Sequence, residues 1–409
     1  MDFKTPQLRR VSLAINDGTH GSFSRVASGV PLLSAKNIYG GNVNVGDNES
    51  LIAESDYALI SRPGHFRNGD VLVTIVGSIG RTAILNVNFP VAFQRSVASI
   101  RPGPMMEARF LRYALESTFL QDQLISGTRT SAQGGIYLGD LAEARIPTPS
   151  LIGQRAIAAY LDAETARIDA LIAKKRRLVE LLEERWVGHL IEVTHSKLTG
   201  VVAPALRRAV DHIVGGAWGG EPGTGEVDVT CVRGTDFDTR TLTAKTNTAP
   251  RRGLTLTEYW SRRLLSGDLV IEKSGGGENQ PVGRVIEWTS DTPAVPTNFA
   301  ARMRPALGIN SRYLTFVFRA AYEMGLTRSW IKQTTGIQNL DIGGLLHESW
   351  PIPSNDDQKR RASDLDEARA ALLRLVERIG RQIDLLTEHR QALITAAVTG
   401  ALPVPNLPA

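Results

Sequence analysis

The sequence predicts two mixed α/β (α+β) heads, each followed by a long helix, with the two helices paired as an antiparallel coiled coil. Two apolar stripes and one repeated order of events carry that reading. The first stripe runs through Leu161, Thr165, Ile168, Ile172, Lys175, Val179, Leu182, Trp186, His189 and Val193. Its steps alternate four and three, averaging the 3.5-residue period that keeps one seam turned to a partner helix. The second runs through Leu365, Arg369, Leu372, Val376, Ile379, Ile383, Leu386, Arg390, Leu393 and Ala397. It is in register with the first: Leu365 stands to Leu161 as Ala397 stands to Val193. At ~1.5 Å per residue, roughly 40 residues make a spacer about 60 Å long. Two heads held apart by a rod is the expected architecture, with halves related by a pseudo-two-fold.

The first head, residues 1–150, reads as short β-branched runs bounded by Gly, Asn and Pro. These are Pro31 to Ala35, Val71 to Val76, and Val97 to Ile100 ending at Arg101-Pro102; a helix from Glu107 to Leu120 follows. A helical segment over 151–200 comes next, then the second head, 201–353, and a second helical segment, 354–402, with a tail at 403–409. In the second head the runs are Val229 to Val232, Asp268 to Ile271 and Ala300 to Pro305, then a helix from Arg312 to Tyr322. Punctuation recurs in order. Gly69-Asp70 matches Gly267-Asp268, Gly80-Arg81 matches Gly283-Arg284, and Arg101-Pro102 matches Arg304-Pro305. Gly135-Ile136 with Asp140 is matched to Gly336-Ile337 with Asp341, and Pro147-Thr148-Pro149 to Pro351-Ile352-Pro353. The shared order points to duplication. Ser150 and Ser354 stand at N-cap positions after extended X-Pro segments, and Gly200 and Gly400 are expected to stop the helices.

Composition narrows the function classes. With 409 residues and 42% hydrophobic content the chain can bury two or three cores. A single cysteine, Cys231, excludes a disulfide framework and a thiolate metal cluster, which fits a reducing compartment. No apolar signal or membrane-length run is present, so a soluble cytoplasmic protein is expected. A formal net charge of +5 permits polyanion binding, although the charges are interspersed.

The repeated segments resemble the specificity subunits of type I restriction–modification systems. The resemblance is carried by Gly135-Ile136 through Pro147-Thr148-Pro149, by Gln154 through Asp162, by Thr165 through Ile172 and by Leu181 through Arg185. In the second copy it is carried by Pro351-Ile352-Pro353, Gln358 and Leu393 through Gly400. Two departures are Gly153 and Asp357 where a glutamate is expected before the glutamine. The Lys359-Arg360-Arg361-Ala362 turn also lacks the apolar residues of its twin. The resemblance implies two target-recognition domains on paired helices and a bipartite double-stranded DNA target, one half-site per head. It also implies two methylation subunits using S-adenosylmethionine, motor-nuclease subunits using ATP and Mg, and no cofactor in this chain.

Motifs for chemistry within the chain fail on spacing. Gly277 to Gly283 followed by Arg284 is too long for a phosphate loop and lacks its lysine. Asp268 with Glu272-Lys273 has the wrong spacing for a nuclease and reads as a charged strand edge. His20, His65, His212 and His347 lack ligand spacing. No catalytic or metal-binding residue is assigned.

Candidate DNA readers are the polar and basic loop residues, since Arg forks onto guanine, Asn and Gln onto adenine, and Lys or Ser hold phosphates. In the first head they are Lys36, Asn37, Ser78, Arg81, Gln94, Arg95, Arg129, Thr130 and Gln133. In the second they are Arg233, Lys273, Ser274, Asn279, Gln280, Arg284, Asn298, Arg328, Lys332, Gln333 and Gln338. Arg81 and Arg284 stand out because the pair recurs. A solvated loop residue is the competing reading for each, as a solvated helix face is for Lys174 to Arg177. Trp186 reads as a packing or subunit-interface residue. The expected function is a non-catalytic DNA-recognition subunit. Its rivals are a self-contained restriction or methylation enzyme and a coiled-coil scaffold whose heads bind proteins.

Overall fold

The computed structural model describes residues 3–61, 66–126, 134–198, 200–333 and 336–405. The chain divides into two units, Met1–Lys175 with Gly380–Ala409 and Arg176–Ile379, so each unit holds a segment of both long helices.

In the first unit the central strand Val71–Thr74 is buried throughout because both its faces are covered. Val71 and Val73 point into one core with Ile100, Phe110 and Leu111, whereas Leu72 points into a second core with Leu33 and Phe93. This is the period-two alternation of a strand. The sheet order is Ser12–Asp17, Val97–Pro102, Val71–Thr74, Thr82–Ile84, antiparallel throughout. A parallel pairing of Val30–Leu33 with Ala92–Phe93 lies beside it.

The second unit is built the same way. Leu269 and Ile271 enter one core with Met303 and Phe316, and Val270 enters another with Val232 and Trp288. Its edge strand Val210–Gly215 pairs with Ala300–Pro305 through a bulge between Val210 and His212, the twin of the bulge between Ser12 and Ala14.

The recurring residues hold this scaffold. Arg101 grips Asp70 with both Nε and Nη2 at 2.9 Å, and Arg304 grips Asp268 at 2.7 Å. Both aspartates are 2% exposed, so each arginine neutralises a charge that would otherwise be buried alone. Gln154 accepts from the Glu107 amide at 2.8 Å and donates to the Pro149 carbonyl at 2.9 Å; Gln358 does the same with Asn310 and Pro353. Each glutamine thus ties the start of a long helix to the loop that opens a core helix, Ala108–Glu116 or Ser311–Glu323. The departures at Gly153 and Asp357 leave this clamp intact. Arg361, in the turn that departs from its twin, pairs with Asp357 at 2.6 Å, and Ala362 is buried.

The long helices are Leu151–Ile191 and Asn355–Thr399. Within the first unit Asp169 meets Arg390 and Lys175 meets Gln382; position numbers rise in one helix as they fall in the other, an antiparallel pairing. Within the second unit Glu183 meets Arg369 and the Val193 carbonyl meets Arg361, again antiparallel. The seam residues lie as the stripes predict. Leu161, Thr165, Ile168, Ile172, Trp186, Leu365, Arg369, Leu372 and Ile379 are buried; Val179, Leu182, Val376, Ile383, Leu386 and Leu393 are half-buried.

Three expectations are corrected. His189 is exposed and Leu190 is fully buried in its place; at the twin position Ile394 is fully buried and Leu393 only partly. There each helix packs into a head's core and follows its own 3.6-residue period rather than the 3.5 of a seam. The regular part of the first helix also ends at Ile191, followed by a widened turn over Glu192–Ser196, well before Gly200. The carbonyls of Val193 and Thr194 accept from Arg361 and Trp350, which takes them out of the helical ladder. Gly400, with φ +80°, does close the second helix. The helix expected from Glu107 to Leu120 breaks at Ser117, whose amide caps Ala108–Glu116 before Thr118–Ser126 begins.

Candidate nucleic-acid interface

Each unit carries one turn held by the same four backbone hydrogen bonds. In the first, Gln94 donates to Leu33 at 2.8 Å, Val97 to Gln94 at 3.1 Å, Ile75 to Ser96 at 2.9 Å and Ile136 to Ile75 at 2.9 Å. In the second, Thr297 donates to Val232 at 2.9 Å, Ala300 to Thr297 at 2.9 Å, Lys273 to Phe299 at 2.9 Å and Leu340 to Lys273 at 2.8 Å. The first strand of each sheet ends beneath this turn at Gly18 or Gly216. A Cβ there would sit 2.2 Å from the Gln94 carbonyl oxygen or 2.1 Å from that of Pro296, so only glycine lets the backbones approach so closely. This pattern corrects the assignment of Gly135-Ile136. Its twin is Asn339-Leu340, not Gly336-Ile337, and Asp341, which caps the helix Ile342–Leu345, stands where Tyr137 stands, not where Asp140 does.

On this shared frame the outward side chains differ. In the first unit Asp17, His20, Ile75, Val76, Arg95 and Ile136 line one cleft. His20 Nε2 donates to Asp17 Oδ2 at 2.6 Å, and Arg95 is exposed. In the second unit the position of Arg95 is taken by Asn298 and that of Asp17 by Gly215. Lys273 and Ser274 replace Ile75 and Val76. A three-stranded sheet absent from the described residues of the first unit joins Ser274–Gly275, Gln338–Leu340 and Ile331–Gln333. It gathers Lys332, Gln333, Asn339 and Ser274, whose hydroxyl donates to Asn339 Oδ1 at 2.7 Å. Lys332 reaches Asp341 at 2.9 Å while staying largely exposed. Sequence reading therefore named Lys273, Ser274, Asn298, Lys332 and Gln333, and the fold brings these five together. It did not name Asp17 or Asn339, although the glycine just beyond Asp17 recurs just beyond Gly215 and is the signal that marks the Asp17 position.

Other sequence candidates are held by the scaffold. Asn37 is buried, accepting from the Ser34 amide and donating to Asn44 and Glu49. Gln338 is buried and accepts from the Val282 amide at 3.2 Å. Arg233 lies across Asp236 and the Thr248 carbonyl. Arg284, 13% exposed, forks onto Glu272 at 2.8 and 2.9 Å and reaches the Gly234 carbonyl. Arg284 thus has its Nε and Nη2 committed to the scaffold while Arg81 is exposed, so the two recurring arginines do not stand as equivalent readers. Lys36 is exposed beside Glu49, and its hydrogen bond holds that carboxyl below the usual range. Ser78, Arg81, Asn279 and Gln280 are exposed loop residues, Arg328 is exposed on the short helix Leu326–Trp330, and Gln94 is half-buried. Arg129, Thr130, Gln133 and His65 lie outside the described residues. The rejected nuclease-like residues are accounted for, Asp268 by Arg304 and Glu272 by Arg284. Among the described residues no group of three or more His, Cys, Asp or Glu is placed to hold a metal ion, and no helix is long and apolar enough to cross a membrane. Trp186 packs under Arg369, whose guanidinium lies 4.4 Å from the ring centre.

Residues 44–181 match the family described as type I restriction modification DNA specificity domain. Over 174 residues the chain is 29% identical to the type I restriction enzyme EcoBI specificity subunit of Escherichia coli. That match covers 40% of this chain and 36% of the relative, so it spans about a third of the relative's own length. Along the whole chain the fold is similar to a chain solved in work on complex assembly and conformational transition of the type I restriction–modification system. The TM-score is 0.74 at 18% identity, covering 98% of both chains. It is also similar to the HsdS subunit from Thermoanaerobacter tengcongensis, with TM-score 0.52 at 18% identity, covering 98% of this chain and 97% of that one.

Proposed function

We infer, for a chain that is a relative of the type I restriction–modification specificity subunits, that its role is to select the DNA sequence on which a methylation complex acts. Each unit reads one half of a bipartite double-stranded target. The gap between halves is set by the two long helices, and the chain itself performs no bond chemistry. One observation carries the reading: the same turn, held by the same four backbone bonds, presents different polar side chains in the two units. A duplicated frame with divergent tips is suited to two different half-sites. Methylation subunits supply S-adenosylmethionine chemistry, motor-nuclease subunits supply ATP-driven cleavage, and the helices offer them apolar surface. In the second unit Leu178, Leu181 and Leu375 remain 45%, 45% and 39% exposed along the helix pair. Exposed leucines on a helix pair are suited to a partner helix.

Two measurements test this. Mapping methylated adenines genome-wide in a host with and without the chain should reveal one divided motif that disappears with it. Duplex binding by the chain and its copurifying subunits should weaken steeply with salt and tighten on that motif. Methyl transfer or cleavage by the chain alone would overturn the non-catalytic reading.

A further inference from the structure

The equivalent turns differ in a way that speaks to base identity. At the second position of the turn the first unit carries Arg95 and the second carries Asn298, both exposed. At the end of the neighbouring edge strand the first unit carries Asp17, on the same cleft as Arg95, and the second carries Gly215. His20 occupies only Oδ2 of Asp17, and a carboxylate has further lone pairs to offer.

The major-groove edges of the base pairs are chemically distinct. A guanine presents two acceptors and its cytosine a donor; an adenine presents one acceptor and one donor side by side. An arginine beside a carboxylate is complementary to the first pattern, because the guanidinium donates twice to guanine while the carboxylate accepts from the cytosine amine. A side-chain amide with no carboxylate beside it is complementary to the second.

Resting on the DNA-recognition reading above, we propose that the Arg95–Asp17 cleft reads a G·C pair in one half-site, and that Asn298, at the equivalent position of the other unit, reads an A·T pair in the other. The conserved frame supplies the position, and the exchange of Arg with Asp for Asn with Gly supplies the difference in specificity.

The test is selection from a randomised duplex pool by the full chain, purified with whatever subunits copurify, for the wild type, Arg95→Ala, Arg95→Gln, Asp17→Asn and Asn298→Ala. The wild type should enrich two separated base clusters. Arg95→Ala and Asp17→Asn should each flatten the same G·C position in one cluster by about tenfold, leaving the other cluster unchanged. Arg95→Gln should move that position toward adenine, an outcome that loss of folding does not produce. Asn298→Ala should flatten one A·T position in the other cluster. Uniform weakening at every sequence, no change, or flattening of the wrong base pair overturns the base assignment while leaving DNA recognition standing. A wild type that enriches no sequence overturns the recognition reading itself.

Discussion

Arg81 and Arg284 follow equivalent glycines, yet their surroundings decide different roles. Arg81 is exposed, whereas Arg284 neutralises Glu272, which is only 9% exposed in its side chain. Removing one partner of such a pair leaves a charge buried alone. Arg284→Ala should therefore cost roughly 3–5 kcal/mol of unfolding free energy, and Arg81→Ala no more than about 0.5 kcal/mol, both read by denaturant titration. Loss of base preference without loss of stability in Arg284→Ala would contradict the scaffold role. Asp236 makes a pH-dependent counterpart. Burial pushes its carboxyl up, but the Arg233 side chain and amide and the Thr248 hydroxyl outweigh that and hold it below its ordinary value. A carboxyl lowered in the folded state stabilises fully above the ordinary value near ~3.9 and loses that contribution as pH falls through the folded value. The stability gap between wild type and Asp236→Asn should close as pH drops below about 4, measured by thermal unfolding across a pH series.

At the scale of elements, the long helices are held by a narrow seam that widens where each helix enters a head. Leu161 and Leu365 are both fully buried at those entries. Truncating either to Ala should cost about 2–4 kcal/mol; Leu178→Ala, on the exposed face, should stay within about 0.5 kcal/mol. If Leu178→Asp with Leu375→Asp folds normally but no longer copurifies with methylation subunits, the exposed line serves docking; unchanged copurification would exclude it. Gln154 and Gln358 couple helix to head by capturing amides and carbonyls that the backbone leaves over at a helix start. Their recurrence in both copies follows from that geometric need.

For the whole molecule, the +5 net charge is modest, so under the proposed function any affinity for DNA comes from where the cations sit rather than from their number. Arg328 and Lys332 are exposed on the second unit near the three-stranded sheet and are suited to phosphates. Replacing either by Ala should lower the slope of log affinity against log salt by about one and weaken all sequences alike. A changed base preference would instead make that residue a reader, as is argued for Arg95.

What the sequence by itself determined is whatever is local or repeated in register. The helix seams follow from a periodicity visible in Leu161 to Ile172 and Leu365 to Ile379. The N-caps follow from Ser150 and Ser354, and the recurring punctuation marked Asp70, Arg101, Asp268 and Arg304 as positions of the repeat, although only the fold paired each aspartate with its arginine. Tertiary structure alone decided which polar loop residues reach solvent. Arg284, Asn37 and Gln338 read as surface residues until Glu272 and Glu49, each twelve residues away across a turn, and the Val282 amide, 56 residues away, are brought against them. It also decided that Asn339 is the twin of Gly135, since a shared hydrogen bond, unlike a shared Gly-Ile dipeptide, depends on where two strands meet. Burial and pairing are set by which strands and turns the fold brings into contact, and no spacing rule along one segment can anticipate them.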